Sequence, residues 1–291
     1  MMRVILFLFT NLAVIIVFGI ILILTGIKPN SLYSLMIIST LFGFSGSILS
    51  LLMSKWIAIK AVNGKLVTVP LNNREKWLVT TIKHQSSLLQ LKTPKIVIYP
   101  SLDINAFATG PHKNASLIAL SSGLLKNMNK EEVEAVIAHE MTHIKNGDMV
   151  TMTLIQGVIN TFVIFVSRII ASIITNIFNN KEENNKYYNN SIIYILITGI
   201  LELIFGVIAS LITMWFSRYR EFYADAGSAK LVGRKKMIAA LKKIKTSYEP
   251  TEDNSIIAFC INGKSKSIFN LFMSHPPIDQ RIIALYNKKY M

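Results

Sequence analysis

The sequence predicts a multi-pass α-helical membrane protein that carries a mainly helical α+β domain. Three observations predict it. Apolar residues make up 52% of the 291, and the mean hydropathy is +0.44, both high for a chain that buries apolar side chains only in its own core. These residues are gathered into four long runs rather than spread along the chain. The polar segments that follow the second and fourth runs alternate between helical and strand periodicity.

A bilayer core of about 30 Å needs roughly 20 apolar residues at ~1.5 Å each. Val4 to Leu24 meets this requirement, with only Thr10, Asn11 and Gly19 as relief. Leu32 to Leu52 follows across a Gly26 to Ser31 turn, so residues 1–54 read as a retained transmembrane hairpin rather than a cleaved signal peptide. Thr151 to Ile177 and Ile192 to Phe216 make a second apolar hairpin within 151–216, joined by NNKEENNKYYNN, whose composition suits a solvated loop. Arg168 and Glu202 interrupt this hairpin and leave open whether it spans the bilayer fully. Each lies about 10 residues, or roughly 15 Å, from the joining loop, so the two stand level with each other. A lone charge in lipid is costly, and an ion pair or a shared polar cavity is therefore expected.

Lys55, Lys60 and Lys65 after the second run, and Arg218 and Arg220 after the fourth, fall within reach of the positive-inside rule; Lys28, Lys181 and Lys186 lie on the other side. This places both termini and the polar segments 55–150 and 217–291 in the cytoplasm. The net charge of +15 belongs to this topology. No basic stripe interleaved with aromatics and no nucleic-acid module appears, so the partner implied is the lipid bilayer and not nucleic acid. The single cysteine, Cys260, has no disulfide or CxxC partner and reads as a small buried or interfacial residue.

Segment 55–150 opens with a helix around Arg74 to Leu91, then a strand, Lys95 to Tyr99, that ends at Pro100. Asn105 to Thr109 and Ser116 to Leu120 flank Gly110-Pro111 and predict two short strands of a small sheet. Next, Asn129 can cap a helix, with Glu132 completing a capping box and Asn146-Gly147 as a stop. Val133, Val136, Ile137, Met141 and Ile144 recur at helical spacing and give residues 130–145 a buried face.

On this helix stands His139-Glu140-Met141-Thr142-His143, an HExxH motif. Residues four apart lie one above the other, so both imidazoles can reach one metal ion while Glu140 sits beside it as a general base. A catalytic zinc takes three protein ligands and keeps a fourth position open, whereas a structural or regulatory site would be closed by four. The remaining histidines, His84, His112 and His275, are scattered. Glu221 is the better third ligand, because it follows the fourth apolar run where the helix can continue, and Asp225 falls on the same face at i+4, placed to accept the free N–H of a ligand histidine. Without the HExxH, Glu221 and Asp225 would read as solvated charges or partners of Arg218 and Arg220. Two rival functions are a membrane channel or receptor using the histidines for a regulatory metal, and a protease that cuts within the lipid; the charged helix carrying HExxH disfavours the second.

Beyond HExxH, NAFATG (Asn105 to Gly110), SLIALSSGLL (Ser116 to Leu125), HEMTHIKNGD (His139 to Asp148), SRYREFYADAGSAKLVG (Ser217 to Gly233) and SHPPIDQRI (Ser274 to Ile282) occur in this order. In these motifs, and over essentially its whole length, the chain resembles the HtpX-type membrane zinc metallopeptidases, which are related to the CAAX prenyl proteases. The resemblance implies a zincin-like metallopeptidase domain and one Zn2+ per subunit, held by His139, His143 and Glu221 with Glu140 as catalytic base. It implies proteolytic quality control of membrane proteins, linked to heat or envelope stress, at a bacterial inner membrane with the active site facing the cytoplasm. It further suggests that Asn105 and the strand after it line the substrate and that His275 stabilises the oxyanion. Acidic Glu202 departs from the family pattern. No oligomeric state is specified.

Overall fold

The computed structural model describes residues 31–179, 187–248 and 275–291. The expected first span, Val4 to Leu24, and Cys260 lie outside the described residues. In chain order the elements are α1 (Leu32–Ala61), β1 (Lys65–Leu66), α2 (Asn73–Leu88), β2 (Lys95–Tyr99), β3 (Ala106–Thr109), β4 (Leu117–Ser121), α3 (Ser122–Asn127), α4 (Lys130–Asn146), α5 (Asp148–Asn179), α6 (Tyr187–Val232), α7 (Arg234–Tyr248) and α8 (Ile278–Tyr286). They form two compact units, one of Met1–Leu49 and Thr153–Thr213, the other of Ser50–Met152 and Met214–Met291.

Among the described residues three helices are long and apolar enough to cross a membrane: Leu32–Ala61, Asp148–Ile177 and Ile193–Val232. In the first unit large apolar side chains such as Leu41, Ile48, Phe162, Ile200 and Ile208 are exposed, while Ser39, Ser167, Thr198 and Glu202 are buried. A water-soluble helix places these groups the other way round; in lipid, polar groups turn inward. Gly43 and Gly157 let α1 and α5 pack closely: a Cβ at Gly43 would meet Thr161 Oγ1 at 2.4 Å, and one at Gly157 the Phe44 ring at 2.6 Å.

Within this unit Arg168 Nη2 and Glu202 Oε1 lie 3.8 Å apart, with both side chains buried. The two positions that sequence counting put level with each other do meet across α5 and α6. Arg168→Leu and Glu202→Leu are each expected to destabilise the protein, and the double variant to recover part of the loss, because no uncompensated buried charge remains. Thermal melts of the four proteins in detergent check this; simple additivity would exclude the pairing.

The second unit holds a four-stranded sheet of order β1-β2-β4-β3. Strands β2 and β4 are parallel, with Val97 opposite Ala119, and β3 is antiparallel to β4, with Phe107 opposite Ala119. Central β4 is buried throughout and β3 forms an edge. One sheet face, through Ile96, Ile118 and Leu120, joins Leu78, Ile82, Ile137, Met141, Ile144 and Leu241 in the core; the other packs Val97, Tyr99 and Leu117 against Ile59 and Val62.

The helix bearing HExxH begins and ends where its capping residues predict. Asn129 accepts from the Glu132 N–H and the Glu132 side chain reaches back to the Asn129 N–H, while Gly147 ends α4 at φ 72°. The apolar helices differ from expectation in extent. Continuous α1 passes through the 54/55 boundary, and continuous α6 starts at Tyr187, inside the stretch read as loop, and passes through 216/217.

Candidate metal centre

Three elements build the site. α4 presents His139 and His143 one turn apart; α6 presents Glu221 and, one turn on, Asp225; and α5 starts with Asp148. Close approach of α6 to α4 depends on Gly227, where a Cβ would meet Thr142 Cγ2 at 2.3 Å. The buried Ser228 Oγ donates to the Ala135 carbonyl at 2.8 Å and fixes the same crossing.

His139 Nε2 and His143 Nε2 are 3.1 Å apart. Glu221 Oε2 stands 3.5 Å from the first and Glu221 Oε1 3.3 Å from the second. Four ligands bound tetrahedrally at 2.0–2.1 Å from zinc would be about 3.3 Å from one another. These separations are of the size expected between ligands of one zinc ion, with Glu221 turning a different oxygen to each imidazole, and the donor set of two imidazoles and a carboxylate suits zinc. Among the described residues His139, His143 and Glu221 form the group able to hold a metal ion.

The far side of each imidazole faces a carboxylate. His139 Nδ1 is 3.0 Å from Asp225 Oδ1, and His143 Nδ1 is 2.5 Å from Asp148 Oδ2. Such contacts fix which nitrogen carries the proton and turn Nε2 of each ring toward the shared point. Arg281 of α8 donates to Asp225 through Nε (2.8 Å) and Nη2 (2.6 Å), and its Nη1 lies 3.2 Å from Glu221 Oε2. Glu221 and Asp225 are both buried, and their arginine partner is Arg281. Arg220 instead donates to the Asp148 carbonyl at 2.6 Å.

Of the other candidates, Glu140 is buried on the motif helix and its charge acts on His143 and Arg281. His275 is half exposed, with Nδ1 2.8 Å from Glu221 Oε2. Asn105 immediately precedes edge strand β3; its N–H donates to Ser121 Oγ at 3.1 Å and its carbonyl accepts from the Ser121 N–H at 3.0 Å. That position is on the sheet edge, outside the ligand cluster. Sequence reading missed Asp148, Arg281 and Gly227; the signal available for Asp148 was a carboxylate directly after the Gly147 stop.

A sequence model described as peptidase family M48 matches residues 72–289. The chain belongs to peptidase family M48. Relatives of this M48 peptidase include the protease HtpX of Buchnera aphidicola subsp. Baizongia pistaciae, 64% identical over 291 residues and covering 100% of both chains. The protease HtpX of Cronobacter sakazakii is 59% identical over 292 residues, again covering 100% of both. The crystal structure of S. mikatae Ste24p shares the fold, with a TM-score of 0.65 at 20% identity over 94% of this chain and 62% of that one. The resemblance read from the motifs holds: this M48 peptidase is a membrane metalloprotease, and its substrates are proteins.

The electrostatics of the M48 centre set its proton balance. Burial disfavours a charged His143, but the hydrogen bonds it donates to Asp148 and Glu221 and the charges of Glu221 and Glu140 outweigh it, pushing the imidazole up to about 10. His139 moves in the same direction, burial again being outweighed by Asp225 and Glu221. Burial would raise Glu221, but its three histidine neighbours and Arg281 hold it well below the usual carboxylate range. In the metal-free protein the His143 imidazole therefore carries its additional proton at neutral pH, and a metal ion has to displace it. Affinity for zinc is expected to fall as pH falls, by up to about tenfold per pH unit for each proton displaced. Chelator competition at about pH 6 and about pH 8 measures this; equal affinity at both would contradict the proton balance.

Proposed function

We propose that this protein is a zinc-dependent endopeptidase that hydrolyses peptide bonds in misfolded or damaged membrane proteins, as quality control under stress. The convergence of His139 Nε2, His143 Nε2 and the Glu221 carboxylate within ligand-to-ligand distance of one another carries this reading. These residues would hold one zinc per subunit, and Asp225 would orient His139. When bound, zinc supplies Lewis-acid chemistry, acidifying water and polarising a peptide carbonyl. Glu140 takes the proton of the attacking water as the C–O bond forms and passes it to the leaving amine nitrogen as the C–N bond breaks. His275, beside Glu221, is positioned to donate to the oxyanion.

Edge strand β3, packed against α4, has no strand on its outer side among the described residues, so an extended peptide can add there through main-chain hydrogen bonds, with Asn105 at its start. Only an unfolded segment can extend in this way, which selects damaged substrates. Glu221 follows the apolar run Ile192–Phe216 within the single helix α6, which favours loops and tails of other membrane proteins. The basic residues after the second and fourth runs support a cytoplasmic active site at a bacterial inner membrane. The division into 1–54, 55–150, 151–216 and 217–291 then separates two membrane hairpins from the two segments that build the peptidase domain.

Casein degradation by the purified protein tests the reading. Cleavage should require zinc, stop with a chelator and return when zinc is restored; cleavage indifferent to chelator would overturn it.

A further inference from the structure

The two ligand histidines are backed by the same succession of groups. From His139 it runs to Asp225 and on to Arg281; from His143 it runs to Asp148 and on to Arg220. We infer that Arg220 and Arg281 are positioning residues of the metal centre: each fixes the aspartate that orients one ligand histidine, and together they bring the zinc-loaded centre to charge neutrality. The inference rests on the zinc reading above.

Both aspartates divide their contacts between an imidazole and a guanidinium. Asp148 turns Oδ2 to His143 Nδ1 at 2.5 Å, while Arg220 Nη1 holds its backbone carbonyl at 2.6 Å and approaches Oδ1 at 3.5 Å. Asp225 Oδ1 faces His139 Nδ1 at 3.0 Å and takes Arg281 Nη2 at 2.6 Å, leaving Oδ2 to Arg281 Nε. The Asp225 carboxylate, held in this way, cannot rotate off its histidine without breaking contacts to Arg281, whereas Asp148 is anchored chiefly through its backbone carbonyl. Neither arginine comes from the histidine helix, since Arg220 precedes Glu221 on α6 and Arg281 lies on α8. The two successions therefore tie α4, α5, α6 and α8 to one point.

The charge count gives the arrangement its chemical sense. Glu140, Asp148, Glu221 and Asp225 are all buried and place four carboxylates around the ligand histidines. The two guanidiniums and one zinc dication balance them, with the imidazoles neutral as ligands and half-exposed His275 standing outside the buried set. Removing one arginine leaves a buried carboxylate uncompensated, which favours either its protonation or its movement toward water. In either state the aspartate no longer orients its histidine. Arg281, buried and bidentate, should matter more than Arg220, whose side chain is 19% exposed and grips mainly the Asp148 backbone.

The test uses the full-length protein in detergent and two metal probes, zinc in competition with a chelator and cobalt read by its visible absorption bands. R281Q should lose about 10- to 100-fold in zinc affinity with an altered cobalt spectrum, and R220Q should lose less. R281K, which keeps the charge but not the two-pronged geometry, should fall between wild type and R281Q. The double variant D225N/R281Q, which leaves no uncompensated charge there, should bind more tightly than R281Q and fold where R281Q does not. Wild-type affinity and an unchanged cobalt spectrum in R281K and R220Q would overturn the inference while leaving the zinc reading intact. A wild-type protein that binds neither metal would overturn both.

Discussion

In Glu140→Gln, proteolysis should fall by about 10²- to 10⁴-fold, the range typical of a removed acid–base group, or more, while zinc remains at the wild-type level. Glu140 lies on the motif helix between the two histidines but outside the group of three whose atoms converge. Gln keeps its size and one carbonyl oxygen, so the buried position stays filled and the ligands are undisturbed. What disappears is the carboxylate that carries the proton from water to the leaving amine. Casein turnover and zinc content, measured on one preparation, separate the two effects. Turnover near that of the wild type would rule out Glu140 as the base.

Glu221→Ala should do the reverse and remove the metal itself. Loss of this carboxylate leaves two imidazoles of the converging group, takes a partner from Arg281 and His275, and should bring zinc down towards background, with activity following. Asp225→Asn touches the same centre one step further out and should weaken zinc binding or rate by only about 10- to 100-fold. The ranking is the test: elemental analysis showing full zinc in Glu221→Ala would transfer the third-ligand role to another residue. His275, with Nδ1 2.8 Å from Glu221 Oε2, would then be the first to examine.

What could be read in the sequence was whatever depends on neighbours along the chain. The limits of the HExxH helix followed from Asn129, Glu132 and Gly147, because caps act over three or four residues. The level positions of Arg168 and Glu202 followed from counting along two helices joined by a loop, and the two side chains do meet. Long apolar runs announced three of the described helices but not their ends. Composition changes after Leu52 and Phe216, yet no proline or glycine lies between Leu52 and Gly64 to end α1, and glycine at 227 is tolerated inside α6.

What could not be read depends on residues far apart. Arg281 reaches Asp225 from 56 positions away, and only the packing of α8 shows that it, rather than Arg218 or Arg220, compensates that carboxylate. Parallel pairing of β2 with β4 places β3 at the sheet edge, which no local pattern reveals. Gly227 looks like one more small residue in ADAGSA until Thr142 of the motif helix is found against it.

Zinc K-edge X-ray absorption on the purified protein tests directly whether His139, His143 and Glu221 hold the metal. The spectrum should fit nitrogen and oxygen neighbours at about 2.0–2.2 Å, with the outer-shell scattering of two imidazoles. In Glu221→Ala the metal signal should fall towards background. A third imidazole, a sulfur shell at about 2.3 Å, or an unchanged spectrum in Glu221→Ala would contradict the assignment.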